Sequence, residues 1–171
     1  MDSDFRIRPE RAGDADVIRR ITQAAFRLNS HSDGTEGAII DALREAGALT
    51  LSLVAITGDE EAVVGHVAFS PVTIDGDHRG WFGLGPVAVR PDLHGRGIGG
   101  ALIRDGLSRL RQAGAKGCVL AGDPEYYRRF GFEQDPALRY SDVPPEYFMR
   151  LAFHTPAPTG QVRYHGGFNA S

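Results

Sequence analysis

The segment from residue 94 to residue 100, His-Gly-Arg-Gly-Ile-Gly-Gly, predicts binding chemistry more directly than any other part of the sequence. It stands just before a helical pattern. Glycine lets a backbone approach a ligand closely, and the first N–H groups of a helix have no partner within that helix. Because such N–H groups attract anions, the segment predicts a phosphate-binding turn. A tight turn without a ligand is the simpler alternative.

Two well-known phosphate-binding patterns compete for this turn. A nucleoside-triphosphate loop needs Lys-Ser/Thr after its last glycine, but Ala101 and Leu102 follow Gly100, so that pattern is excluded. The dinucleotide pattern Gly-x-Gly-x-x-Gly is matched by residues 95–100, and Asp123 stands where a ribose-binding acid would lie. However, five residues separate Val89 from the first glycine, and too little chain follows for a doubly wound sheet. Dinucleotide binding therefore ranks second.

The elements around this turn alternate between strands and helices. The first half of the chain predicts a strand at 5–8, a helix after the N-cap Asp14, a polar loop at 29–34 and a second helix between Thr35 and Gly47. The expected buried stripe of the first helix is Val17, Ile21, Ala25 and Leu28, and the apolar positions of the second are Ile39, Ile40 and Leu43. Strands follow at 49–57, at 62–74 with an interruption at Pro71, and at 81–89.

The strand at 81–89 contains Gly83, Gly85 and Pro86, which predict a bulge. After the glycine-rich turn, a helix with Ile103, Leu107 and Leu110 on one side ends at Gly114. A buried strand at 117–122 and a short helix at 125–130 come next, and residues 81–122 should form a right-handed βαβ unit. In the last forty residues we expect one or two strands, within 147–153 and 162–164, and a frayed tail.

Composition limits the remaining possibilities. A chain of 171 residues with 42% hydrophobic residues, 24% charged residues and a net charge of -3 is expected to form one globular domain. Nucleic-acid binding is not expected without clustered basic residues, and a single cysteine, Cys118, allows no intrachain disulfide and no zinc-ligand pattern, so no metal is predicted. The sequence shows no secretory signal and no membrane-length apolar run, which favours a cytoplasmic protein. It predicts no oligomeric state.

Residues 89–99, Val-Arg-Pro-Asp-Leu-His-Gly-Arg-Gly-Ile-Gly, resemble the pyrophosphate-binding motif of the GNAT superfamily of N-acetyltransferases. That motif is Gln/Arg-x-x-Gly-x-Gly/Ala, and His94 stands at its first position. The resemblance also covers the opening Ile7-Arg8-Pro9 strand, the helix containing Asp16, the central strands and the Tyr127-x-x-x-Gly131-Phe132 segment. It implies an α+β fold with a mixed, mostly antiparallel sheet flanked by helices. The predicted domain spans 1–171, with a core at about 5–135 and C-terminal strands within about 136–168.

The resemblance further implies that acetyl-CoA is a cosubstrate whose acetyl group passes directly to a primary amine. Its pantetheine arm would enter a gap between splayed strands and bind backbone groups there. A backbone N–H near Val87 would face the thioester oxygen, and Tyr127 would be the general acid toward the departing thiolate. The implied coenzyme-binding residues are Val87, Ala88, Val89, His94, Gly95, Arg96, Gly97, Ile98, Gly99 and Gly100.

The general base is not identified, because residues 81–85, where many family members carry a glutamate, contain no carboxylate. His66 is one candidate, although a core histidine is the simpler interpretation. His31, Asp33 and Glu36 could attract a cationic amine, or could belong to a solvated loop. Arg104, Arg109 and Arg111 could meet the coenzyme's phosphates or simply be solvated; Tyr126 and Cys118 are expected to be structural. The missing base leaves a non-catalytic acyl-CoA-binding module as an alternative to an enzyme.

Overall fold

The computed structural model describes residues 5–27, 34–58 and 61–170. Leu28, His31 and Asp33, and most of the loop predicted at 29–34, lie outside the described residues. The helices are α1 (Ala15–Arg27), α2 (Glu36–Glu45), α3 (Ile98–Gln112) and α4 (Pro124–Tyr127). The strands are β1 (Phe5–Pro9), β2 (Leu51–Thr57), β3 (Ala62–Ile74), β4 (Trp81–Val89), β5 (Gly117–Ala121), β6 (Leu138–Arg139), β7 (Phe148–Ala152) and β8 (Gly160–Tyr164).

The strands form a mixed sheet in the order β1-β2-β3-β4-β5-β7, and β8 pairs with the far end of β3 and with β6. Neighbours along the main path are antiparallel except β4 and β5, which are parallel and are joined through α3. The predicted α+β class with a mostly antiparallel sheet is confirmed. A doubly wound parallel sheet, which dinucleotide binding would require, is not what the chain forms.

Helix α3 packs on one face of the sheet. Leu102, Ile103 and Leu107 are buried there against Phe69 of β3. Gly106 permits this close contact, because a Cβ at that position would collide with the Phe69 ring. The predicted apolar side of α3 and its end near Gly114 (φ +93°) are both present.

Helices α1 and α2 bury Ile18 and Ile40 in a second cluster with Val54 and Ile56 of β2. The predicted α1 stripe is therefore shifted. Ile18, Ile21 and Thr22 are its buried residues, whereas Val17 and Ala25 are only half-buried. The i, i+4 spacing of apolar residues does not distinguish Val17 from the adjacent Ile18 as the start of the buried stripe.

Strand β3 continues through Pro71, so the predicted interruption is wrong. At Phe69 its pairing with β2 ends, and from Val72 it pairs with β8 instead. Pro71 falls between these partners, where a strand tolerates the missing N–H. The predicted frayed tail is also wrong: residues 166–169 form a 3-10 turn, and Phe168 packs edge-on against Tyr164 with ring centroids 4.9 Å apart.

In the part of the chain that the structure describes, no helix is both long and apolar enough to span a membrane.

Candidate active site at the gap between two parallel strands

Strands β4 and β5 pair over only three positions and then separate. The paired residues are Trp81–Gly117, Phe82–Cys118 and Gly83–Val119. Beyond them β5 continues with β7 as its partner, while Leu84–Val89 of β4 has no strand from the described ranges on the β5 side. We call this opening the fork. The predicted bulge lies at its start, since two steps along β3 (Val67 to Phe69) correspond to three along β4 (Val87 to Leu84).

The backbone of β4 beyond the bulge presents alternate residues to the fork. Arg90 donates its N–H to Val64 O at 2.8 Å, so the main-chain groups of Ala88 and Arg90 face β3. By the alternation of an extended strand, those of Val87 and Val89 face the fork. Ala88, which was expected to offer backbone groups as well, contributes only the wall of the site.

Gly83 marks the apex of the fork, and the ring of Tyr164 occupies the space beside it. The Cε2 atom of that ring lies 2.5 Å from the position a Cβ would take at Gly83. Tyr164 itself packs against Tyr140 with the two rings tilted and their centroids 4.9 Å apart. A side chain at position 83 is therefore excluded by an aromatic group that the C-terminal strand β8 supplies.

The glycine-rich turn leads from β4 into α3 beside the fork. Residues 91–93 form a 3-10 turn, and Gly95 and Gly97 then adopt the left-handed conformation, with φ of +82° and +84°. Gly97 is the N-cap residue and has no side chain to cap the helix. The first helical bond runs from Ala101 N–H to Gly97 O. The N–H groups of residues 95–100 thus donate to no other described residue.

His94 closes the turn against the end of β4. Its Nε2 atom lies 2.8 Å from Val89 O, a carbonyl that faces the fork and has no strand partner there. Because a carbonyl oxygen only accepts, Nε2 carries the proton in this contact. The side chain expected to contact the coenzyme is therefore engaged in holding the turn.

These features surround a cavity of about 590 Å³. Every predicted coenzyme-binding residue lines it except Arg96, which stands outside it in the turn. Eight further residues complete the lining: Ala25, Phe26, Leu93, Ile103, Arg104, Tyr126, Arg129 and Phe130. The i, i+3 and i+4 spacing of Tyr126, Arg129 and Phe130 is the sequence signal for this shared face, and the prediction of a structural Tyr126 does not use it.

Tyr127 is the last residue of α4 and lies next to the cavity rather than in its lining. Its ring packs across Gly122, where a Cβ would lie 2.6 Å from Cε2, and edge-on against Tyr126 with centroids 4.9 Å apart. Burial raises the pKa of its phenol to about 12. The hydroxyl therefore remains protonated at neutral pH, and it makes no hydrogen bond to the described residues.

His66 is fully buried and lies outside the cavity lining. Its Nε2 lies 2.7 Å from Ser52 Oγ, which donates to Glu10 Oε1 at 2.6 Å, and Arg44 donates to both oxygens of Glu10 at 2.8 Å. Burial lowers the pKa of His66 to about 4, so the imidazole is neutral at physiological pH. This arrangement favours the core-histidine interpretation over that of a general base.

Most of the other candidate residues from the sequence do not line the cavity. Arg109 binds Asp105 of its own helix, and Arg111 lies over the Phe153 ring at 4.7 Å, so only Arg104 of the three lines the cavity. Cys118 is fully buried, and burial raises the pKa of its thiol, which suits a core residue and not a nucleophile. Glu36 is the first residue of α2.

Comparison with known proteins identifies the family. Residues 6–134 match the acetyltransferase (GNAT) domain model. The chain belongs to the GNAT acetyltransferase family. This GNAT protein is 40% identical to the uncharacterized N-acetyltransferase YhbS of Escherichia coli K12 over 152 residues. The match covers 85% of this chain and 90% of YhbS. A second relative, the uncharacterized N-acetyltransferase YjhQ of the same strain, is 36% identical over 122 residues, which are 70% of this chain and 65% of YjhQ.

Solved GNAT structures share the whole architecture. A GNAT family acetyltransferase from Brucella melitensis, solved with acetyl-CoA, superposes with a TM-score of 0.85 at 54% identity and covers 96% of this chain and 97% of its own. Escherichia coli YhbS, solved with CoA, gives a TM-score of 0.86 at 37% identity, with 97% of this chain and 92% of that one covered. The predicted family is confirmed, and these two relatives share the overall fold of this chain.

Proposed function

We propose that this GNAT chain binds acetyl-CoA in the cavity beside the fork and transfers its acetyl group directly to a primary amine. The observation that carries the proposal is the fork itself: β4 leaves β5 after three residue pairs and runs on beside a cavity that begins at a glycine-rich helix N-terminus. The acetyl-CoA and CoA bound to the Brucella and Escherichia coli relatives support the same assignment.

The N–H groups of residues 95–100 would hold the diphosphate. They begin a helix of fifteen residues, and no side chain caps that end. Helix N-termini favour negative charge, through the unpaired N–H groups and the positive end of the helix dipole. In this assignment Gly95 and Gly97 supply the left-handed conformations that turn the N–H groups toward one ligand.

The fork would hold the pantetheine arm, which is long, narrow and rich in amide groups. Val87 and Val89 direct main-chain groups into the opening, so an extended amide chain can replace the missing strand. Val89 O already accepts from His94, which leaves Val87 as the principal backbone partner. The Val87 N–H is also the group assigned to the thioester oxygen, where such a contact is worth about 2.7 to 4 kcal/mol in other acyl-transfer enzymes.

Tyr127 would serve the thiolate that leaves when the acetyl group is transferred. A phenol with a pKa of about 12 is a weaker acid than the thiol it would form, whose pKa is about 8.5. Full proton transfer is therefore uphill by about 5 kcal/mol. We assign Tyr127 the role of a hydrogen-bond donor that stabilises the thiolate, consistent with its unengaged hydroxyl.

The acceptor must lose a proton before it attacks, because an alkylamine with a pKa near 10.4 is mostly protonated at neutral pH. Strand β4 offers no carboxylate for this purpose, and His66 is buried outside the cavity. This favours acceptors that already present a neutral amine, or deprotonation by solvent. The same observation supports the second candidate, a non-catalytic acyl-CoA-binding module.

Two measurements test the proposal. At 100 times its dissociation constant, acetyl-CoA should stabilise the protein by about 2.7 kcal/mol, which raises the melting temperature by about 5 to 10 °C, whereas NAD should not. Release of free thiol from acetyl-CoA should then depend on added primary amine. Absence of a thermal shift would reject acetyl-CoA binding, and a shift without amine-dependent turnover across a broad amine panel would favour the binding module.

A further inference from the structure

We propose that Arg104 and Arg129 form a phosphomonoester site at the mouth of the cavity and recognise the 3′-phosphate of coenzyme A. This inference rests on the proposed function. The cavity lining is positively charged although the chain has a net charge of -3. It contains two arginines and no aspartate or glutamate. Neither arginine forms an ion pair with a carboxylate in the described ranges 5–27, 34–58 and 61–170.

Arg104 extends from the second turn of α3 back toward the start of that helix. Its Nη1 atom lies 3.2 Å from the position a Cβ would take at Gly100, so glycine there makes room for the guanidinium. The guanidinium carbon lies 4.9 Å from the centre of the Phe130 ring. Arg104 is thus held beside the N–H groups assigned to the diphosphate.

Arg129 approaches from the segment after α4. Its Nε donates to Tyr126 O at 2.9 Å, and its guanidinium lies 4.5 Å from the centre of the Tyr126 ring. Both contacts fix the orientation of the group and leave its two terminal nitrogens without a partner among the described residues. The Tyr126 hydroxyl in turn lies 3.8 Å from the Cβ position of Gly99, which places this assembly against the glycine-rich turn.

The two kinds of phosphate in coenzyme A differ in charge, and this difference assigns the N–H groups to one and the arginines to the other. Each phosphorus of a diphosphate diester carries about one negative charge, which uncharged N–H groups can balance with the helix dipole. A phosphomonoester carries about -1.5 to -2 on three oxygens at pH 7 and is best matched by guanidinium groups. Of the known parts of coenzyme A, only the 3′-phosphate has this chemistry.

The experiment compares CoA with 3′-dephospho-CoA, which lacks only that phosphate, by calorimetric titration at constant ionic strength. The intact protein should bind CoA at least tenfold more tightly than 3′-dephospho-CoA. Arg104→Gln and Arg129→Gln should each reduce this ratio several-fold, and the double variant should bring it close to one. In every variant the affinity for 3′-dephospho-CoA should fall much less than the affinity for CoA, provided that melting curves show the folded state.

Two neighbouring arginines provide matched controls. Arg128 precedes Arg129 in sequence but does not line the cavity, and Arg111 also stacks on an aromatic ring, Phe153, away from it. Arg128→Gln and Arg111→Gln should retain the CoA preference of the intact protein. Equal affinity of the intact protein for the two ligands, or an equal loss in the controls, would overturn this proposal alone. Failure to bind either ligand would overturn it together with the proposed function.

Discussion

The Nε2 atom of His94 lies 2.8 Å from the carbonyl oxygen of Val89, so the last residue of β4 is tied to the turn that follows it. Without β5 beside it, Val89 O would otherwise face the fork unpaired. The contact links the two halves of the proposed coenzyme site, the edge of β4 and the start of α3. We therefore expect His94 to position the turn, whereas the direct contact with the coenzyme that the resemblance implies stays a prediction.

Removing this contact should weaken acetyl-CoA binding without abolishing it. A hydrogen bond of this kind contributes about 0.5 to 1.5 kcal/mol, so His94→Ala should raise the dissociation constant about two- to tenfold. His78 provides the control, because its Nδ1 lies 3.1 Å from another backbone carbonyl, Val72 O, away from the cavity. If His78→Ala weakened binding to the same extent as His94→Ala, the positioning role would be refuted.

Gly97 should matter for both stability and binding. A Cβ at Gly97 would meet no atom within 4 Å, but φ is +84°, so Gly97→Ala should cost about 1 to 2 kcal/mol of unfolding free energy through strain alone. It should also weaken acetyl-CoA binding, because the chain escapes this strain by turning its N–H groups away from the ligand.

Gly114 is the matched control for that experiment. It has a φ of +93° and equally open surroundings, but it ends α3 far along the helix from the cavity. Gly114→Ala should lose similar stability by urea denaturation while keeping the affinity for acetyl-CoA. Equal affinity losses in the two variants would show that binding merely follows overall stability.

Tyr127→Phe should separate catalysis from binding. The ring packs against Tyr126 and Phe132, and phenylalanine preserves that packing, so acetyl-CoA affinity should change less than twofold. Loss of the hydroxyl should lower kcat about 10- to 100-fold, in line with one hydrogen bond to a developing charge. Tyr140→Phe serves as the control, since burial also raises the pKa of Tyr140 to about 12 but its hydroxyl donates to Asp142 outside the cavity. An unchanged kcat in Tyr127→Phe would remove this residue from the mechanism.

Stability should fall in mild acid because of His66. Its pKa is about 4 in the folded protein and near 6.5 when unfolded, so between these values the unfolded chain binds more protons. The stability contribution is complete above about pH 6.5 and decreases as the pH falls toward 4. At pH 5 the loss should be about 2 kcal/mol.

The measurement is the unfolding free energy by urea titration at several pH values. His66→Gln keeps an N–H donor for Ser52 and should flatten the profile between pH 5 and 6.5, while His154→Gln, at an exposed position, should reproduce the slope of the unmodified protein. A slope that persists in His66→Gln would assign the acid sensitivity to other groups. The pKa values of the Glu10 and Asp14 carboxylates are lowered in the folded protein. Their contribution to stability is therefore lost only at lower pH, when the pH falls through those folded-state pKa values.

Local sequence patterns predict those structural features that neighbouring residues determine. The bounds of β4, the bulge near Gly85 and the turn before α3 all follow from glycine and proline residues within a few positions. Each of these features depends on backbone conformation, which short sequences encode directly. The prediction of the coenzyme site used mostly such features.

Contacts between distant segments were not predicted. Pro71 lies inside a continuous strand because β8, almost a hundred residues later, replaces β2 as its neighbour. Residues 166–169 are ordered because Gly167 fits against Leu43 of α2. Arg129 enters the cavity because its segment folds back onto the start of α3. Hydrophobic periodicity and turn signals carry no information about which remote segments meet.

The Tyr164 ring beside Gly83 also constrains attempts to redesign this protein. An engineer who wished to add the absent carboxylate at the apex of the fork could not simply exchange Gly83 for glutamate, because the aromatic side chain already fills that volume. Positions 83 and 164 would have to be changed together, so that a residue smaller than tyrosine at 164 leaves room for the glutamate side chain. Any such pair would be coupled, so single-site libraries would miss it.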